Sequence, residues 1–201
     1  MTWIKHVSYE DAEGQLRKLY DRLKGTDNNI DNIMLAHSLR PHTMEGHMAL
    51  YKQVLHHPRN KISRWFLEAL GIYTSIVNKC HYCIEHHFQG MQRVLEDEAR
   101  AQALRMALLS GQFSPEFNDK EAAALAYARK LTEAPGAMEA DDVAALREAG
   151  WEDGEILEIN QVTAYFNYAN RTVLGLGINT DGDVLGLSPS DSTDTDNWNH
   201  R

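Results

Sequence analysis

From Ala12 to Val173 the apolar residues of this chain recur at three- and four-residue intervals, and no stretch alternates apolar and polar residues long enough to argue a sheet. That periodicity leaves one fold class, all-α. Ser8-Tyr9-Glu10-Asp11 resembles a capping box, after which Ala12, Leu16, Leu19, Tyr20 and Leu23 share a face until Gly25. Asp31 is placed to cap a short helix through Leu39, and Pro41 to open the next, which ends at His56-His57-Pro58. Further helices are expected over 62–78, 80–95, 97–110, 119–133, 140–149 and 153–175, with Gly111, Pro135 and Gly150 as stops. The expected organisation is an N-terminal helix and extension over 1–30, a helical domain over 31–180, and an acidic tail over 181–201. Asp181, Asp183, Asp191, Asp194 and Asp196 in a Ser-, Thr-, Asn- and Gly-rich context read as mostly disordered.

The net charge of −9 argues against nucleic acid, whose phosphates need a basic stripe. No apolar run reaches the ~18–20 residues of a membrane span. The start lacks the basic-then-apolar pattern of a secretory signal, so a reducing cytoplasm is expected.

The chain has two cysteines, Cys80 and Cys83, in a single C-x-x-C with His87 one turn further on. The spacing suits a redox dithiol, half of a metal site, or chance. A thioredoxin-like unit is excluded by the missing strands, and c-type haem attachment by Ile84 after Cys83. Zinc would need a fourth ligand beyond Cys80, Cys83 and His87 or His86, and no second pair supplies it, so neither metal nor cofactor is expected. On a helix from Cys80, residues Cys80, Cys83, Ile84, His87, Phe88, Met91, Val94 and Leu95 form one inward stripe. His86 lies at its edge, turned away. In the preceding helix, Glu68 is the one charged residue in a segment otherwise apolar or small nearly all round. A buried carboxylate there needs a partner. Arg64 or Lys61 could supply one. Folding the two helices antiparallel about Asn78 supplies another, because Glu68 and His87 then lie level, each about 13–15 Å from the turn. Carboxylate, imidazole and thiol would form a proton relay, and the helix N-terminus favours a thiolate at Cys80.

Glu68, Cys80, Cys83 and His87 together resemble the Glu…Cys-x-x-Cys-x-x-x-His signature of the AhpD-like alkylhydroperoxidases, in the carboxymuconolactone decarboxylase superfamily. The wording Asn78-Lys79-Cys80-His81-Tyr82-Cys83-Ile84-Glu85-His86-His87 and the stretch Tyr165–Arg171 are similar to its peroxidase-related branch. Tyr82 departs from it, standing where well-studied members carry histidine. The resemblance implies an all-helical fold with the C-x-x-C at the start of a helix, and a homo-oligomer such as a trimer or hexamer. It also implies a small peroxide as substrate and a dithiol or protein reductant. Carried over by position, Cys83 would attack the peroxide, Cys80 would resolve the sulfenic acid, and His87 with Glu68 would relay the proton. A redox sensor with negligible turnover, and a decarboxylase or isomerase using Glu68 and His87, are the other readings.

Overall fold

The computed structural model describes residues 2–25, 28–189, 193–194 and 197–200. Among them the order is α1 (Gly14–Leu23), α2 (Asn32–Ala36), α3 (Pro41–Leu55), α4 (Arg64–Val77), α5 (His81–Leu95), α6 (Glu98–Ser110), α7 (Asp119–Glu133), α8 (Ala140–Glu148) and α9 (Asp153–Leu176), with a short 3₁₀ turn at Pro135–Ala137. The described residues hold no strand. The all-α class is therefore right.

Helix α4 is the axis of the fold. Every residue from Phe66 to Ser75 is buried, as its apolar circumference requires, and α3, α5, α6, α7 and α9 surround it. Two side chains that could have carried orphan polar groups inside are satisfied locally: Thr74 Oγ1 donates to Leu70 O at 2.9 Å and Ser75 Oγ to Gly71 O at 2.8 Å. Gly71 is where α9 presses in: a Cβ there would sit 2.1 Å from Phe166 Cζ.

The corner between α4 and α5 sets the C-x-x-C. Cys80 N–H donates to Ser75 O at 2.8 Å and Lys79 N–H to Ile76 O at 3.0 Å, with Lys79 in the left-handed region at φ +59°. This is the double bond of a Schellman stop. Cys80 is thereby the last residue of that stop and also the N-cap of α5. Asn78 Nδ2 donates to Asn167 and Asn170 Oδ1, both at 3.0 Å, so α9 clasps the corner.

Helix ends shift by a residue or two in several places, and the first two helices differ more. Ser8 and Asp11 bond each other in a turn, and α1 begins only at Gly14, at φ +56°. Helix α2 stops at Ala36 instead of Leu39, since Arg40 precedes a proline and takes φ −143°, outside the helical region. Asp31 is the N-cap of α2, yet its side chain makes no capping bond. Asp183 does that work from the tail, accepting from Asn32 N–H at 3.0 Å.

The larger correction is the tail itself. Asp191 and Asp196 lie outside the described residues, but much of what is described of 181–200 is folded down. The side chain of Asp183 is 2% exposed. Gly186, at φ +77°, crosses α5 so closely that a Cβ would fall 2.6 Å from Gln89 Cβ. Trp198 is buried beneath the Arg22 guanidinium, which lies 3.7 Å over its ring. His200 N–H donates to Leu23 O at 3.2 Å. The aspartates that suggested a solvated tail include one, Asp183, that Asn32, Tyr82 and His86 satisfy.

Candidate active site

Antiparallel packing of α4 on α5 brings Glu68 and His87 together, His87 Nδ1 donating to Glu68 Oε2 at 2.6 Å. Gly90 allows the close approach, since a Cβ there would already stand 3.3 Å from Glu68 Oε1. That first carboxylate oxygen accepts from Arg64, at 2.6 Å from Nη2 and 3.1 Å from Nε. The two partners that competed for Glu68 in the sequence are thus both used. Burial would push the Glu68 carboxyl up; the Arg64 guanidinium, then His87, outweigh it and hold it at about 2. Behind Arg64 stands His56, with Nδ1 2.5 Å from Nη1. His56 reads in sequence as a helix end. It is one, and it also backs the ion pair.

With Nδ1 committed to the carboxylate, Nε2 is the His87 atom able to take a proton. Phe166 fixes the ring edge-on at a centroid distance of 4.5 Å. The sulfurs of Cys80 and Cys83 are free thiols 3.2 Å apart. Among the described residues no hydrogen bond joins Cys83 directly to His87. They meet instead across a cavity of about 50 Å³ that Glu68, Cys83 and His87 line together. A water needs roughly 10–15 Å³ of such space, so there is room for a few waters or a molecule of about five heavy atoms. Cys80 does not line it.

The two thiols share one ionisation. The Cys80 thiol is drawn down, first by the hydrogen bond from Cys83, and Cys83 is pushed up by the same bond and by burial. Asn170, fully buried on α9, favours the thiolate of both. When one of the pair ionises, the charge is favoured on the inner sulfur, whereas access belongs to the outer one. A proton crossing 3.2 Å exchanges the two states.

Tyr82 and His86, expected respectively as a departure and as a residue turned away, are both buried. Tyr82 Oη donates to Asp183 Oδ2 at 2.7 Å and accepts from Ile33 N–H at 3.2 Å; His86 Nε2 lies 3.1 Å from the same carboxylate oxygen. The folded tail makes a second inward face for α5, which a single stripe could not reveal. Among the described residues no group of three or more His, Cys, Asp and Glu side chains is arranged to hold a metal, and no helix is long and apolar enough to cross a membrane.

Comparison with solved structures finds the same all-helical fold in AhpD-like proteins. An uncharacterised peroxidase-related protein from Ralstonia eutropha JMP134, with an alkylhydroperoxidase AhpD core, superposes at a TM-score of 0.74 and 19% identity, over 89% of this chain and 91% of that one. A peroxidase-related protein from Silicibacter sp. TM1040 gives 0.66 at 24% identity, over 75% and 78%. The debrominase Bmp8, solved in complex with 2,3,4-tribromopyrrole, gives 0.68 at 20% identity, over 89% and 91%. No family model matches the chain, and no curated protein matches it.

Proposed function

We propose that this protein is a thiol peroxidase of the AhpD-like kind, reducing a small peroxide through a Cys80/Cys83 dithiol–disulfide cycle. The observation that carries the reading is a pair of thiols 3.2 Å apart, one of them walling a small cavity beside an imidazole already bonded to a buried carboxylate. His87 Nε2 is the proton store, Glu68 steadies the imidazolium, and Arg64 keeps Glu68 ionised.

In the first step the Cys83 thiolate attacks the terminal peroxide oxygen. The S–O bond forms, the O–O bond breaks, and the alkoxide leaves as ROH with a proton from His87. In the second, the Cys80 thiolate attacks the Cys83 sulfenic sulfur. The S–S bond forms and hydroxide leaves as water with one further proton. Two electrons have passed from the dithiol to the peroxide, and an external dithiol restores them. Access selects Cys83 as the attacking sulfur, because Cys80 is sealed behind it.

A second reading has a specific observation behind it, the shared fold with a debrominase. The Cys83 thiolate would take a bromine from an aromatic carbon that is protonated in exchange, and Cys80 would displace bromide to the same disulfide. A cavity of about 50 Å³ favours the peroxide over a ring bearing several bromines. The test is consumption of hydrogen peroxide and ethyl hydroperoxide with dithiothreitol as reductant. Cys83→Ser is expected to lose turnover entirely. In Cys80→Ser, treated with one equivalent of peroxide and no dithiothreitol, the Cys83 sulfenic acid is expected to persist and to be captured by dimedone, which the parent's disulfide escapes. Full turnover by Cys83→Ser would sink the reading, and debromination of a bromopyrrole without peroxide turnover would select the second.

A further inference from the structure

The folded tail contributes more to the cavity than a cover. Asp31 and His200 both line it, and both also line an adjoining hollow, too narrow for a water, that runs toward Leu23 and Ile30. They therefore stand at an end of the chamber. Asp31 makes no capping bond with its side chain, Ile33 N–H going to Tyr82 Oη and Met34 N–H to the Asp31 carbonyl, so its carboxyl is left to face the cavity. Its Oδ1 accepts from Asn29 Nδ2 at 3.3 Å, leaving Oδ2 toward His200. His200 is equally fixed. Its Nδ1 lies 2.9 Å from Trp198 O and 3.1 Å from Leu23 O, and since both are carbonyls Nδ1 carries the proton. Nε2 faces Asp31 Oδ2 at 3.9 Å. That gap is too long for a hydrogen bond and short enough for one atom to bond both sides. Side chains of both residues are more than nine-tenths buried. Burial pushes the Asp31 carboxyl up, against the opposing pull of His200 and His86.

One group suits such a gap whichever side holds the proton, a hydroxyl, which donates and accepts through a single oxygen. It donates to Nε2 and accepts from a carboxyl O–H, or accepts from Nε2–H and donates to a carboxylate, and a methyl in its place leaves both sides unsatisfied. We propose that Asp31 and His200 form a second subsite that holds the hydroxyl of a small hydroxyalkyl hydroperoxide while the peroxide end meets Cys83. This deepens the thiol-peroxidase reading and rests on it. The specificity residue His200 comes from a segment whose composition suggested disorder.

The experiment compares two probes of the same shape, 2-hydroxyethyl hydroperoxide and n-propyl hydroperoxide, which differ by OH for CH3. The parent is expected to prefer the first in kcat/KM by at least about tenfold, the worth of one buried hydrogen-bond pair. In Asp31→Leu and His200→Leu that ratio is expected to fall toward one, whatever happens to the absolute rates. A parent ratio near one, or a ratio unchanged in both variants, overturns the subsite. If the parent consumes neither peroxide, the peroxidase reading has failed and the subsite is read separately, by protection of Cys83 from iodoacetamide. Protection by 2-methoxyethanol but not by 1-methoxypropane, lost in both variants, supports it. Equal protection by the two ethers overturns it.

Discussion

Replacing Arg64 by methionine keeps the length and apolar stem of the side chain and removes the charge that holds Glu68 ionised. Glu68 is fully buried and its carboxyl lies at about 2, against an ordinary value of 4.5. The difference corresponds to about 3 kcal/mol of folding stability. Because the folded value is the lower one, this contribution is complete above about pH 4.5 and disappears as pH falls through about 2. Without the guanidinium, burial faces only His87, and the carboxyl becomes an undercompensated buried charge or takes a proton. At pH 7 the variant is expected to lose on the order of 3 kcal/mol, or roughly 6–12 °C in Tm for a chain of this size. Its stability should also decline less steeply than the parent's between pH 4.5 and 2, since the Glu68 contribution is gone while other lowered carboxyls such as Asp142 still titrate. Adding Glu68→Gln should recover part of the loss, giving a coupling of about 1–3 kcal/mol in the double-mutant cycle. Calorimetry across pH 2–8 on the four proteins measures all of this. An Arg64→Met protein with the parent's Tm at pH 7 and the parent's acid limb would refute the claim that Arg64 sustains the Glu68 charge.

Other consequences are as direct. Gly71→Ala forces a methyl into the Phe166 ring, which in turn positions His87; a loss of about 1–3 kcal/mol in urea unfolding is expected, with reduced peroxide turnover in whatever folds. Tyr82→Phe removes a donor to a buried carboxylate and should cost about 1.5–3 kcal/mol. Limited proteolysis should then cut within 181–200 at a rate the parent does not show, and equal cutting rates would count against a tail pinned by Asp183. Gly186→Ala, whose Cβ meets the α5 backbone, should release the same segment without touching the polar network.

Much of the fold and part of the site were legible in the sequence, for reasons that particular residues make plain. Helical spacing and caps are local signals, and they gave α1 to α9, most with shifted ends. The Glu68–His87 meeting was legible because both helices run from one corner, so counting residues from Asn78 locates each side chain. Partners from distant segments left no such count. Arg64 was weighed against His87 for Glu68, but nothing in spacing says that one carboxylate serves both. Asp183 could not be told from a solvated aspartate, since its donors, Asn32, Tyr82 and His86, lie 97 to 151 residues away. One residue in the tail did carry a signal. Trp198 is a large apolar side chain among polar ones, and it is buried. His86 was misplaced for the same reason, because the stripe of α5 was drawn without the strand of chain that crosses it.

The order of the two sulfurs also sets how a disulfide between them would be reopened. A reductant enters from the cavity, where Cys83 is the sulfur within reach, and must leave Cys80 as the departing thiolate. Thiol–disulfide exchange is fastest when the departing sulfur has the lower pKa. Cys80, at the head of α5 and beside Asn170, is the sulfur whose thiolate is favoured. The same asymmetry that keeps the inner sulfur away from the peroxide makes it the better leaving group on the way back.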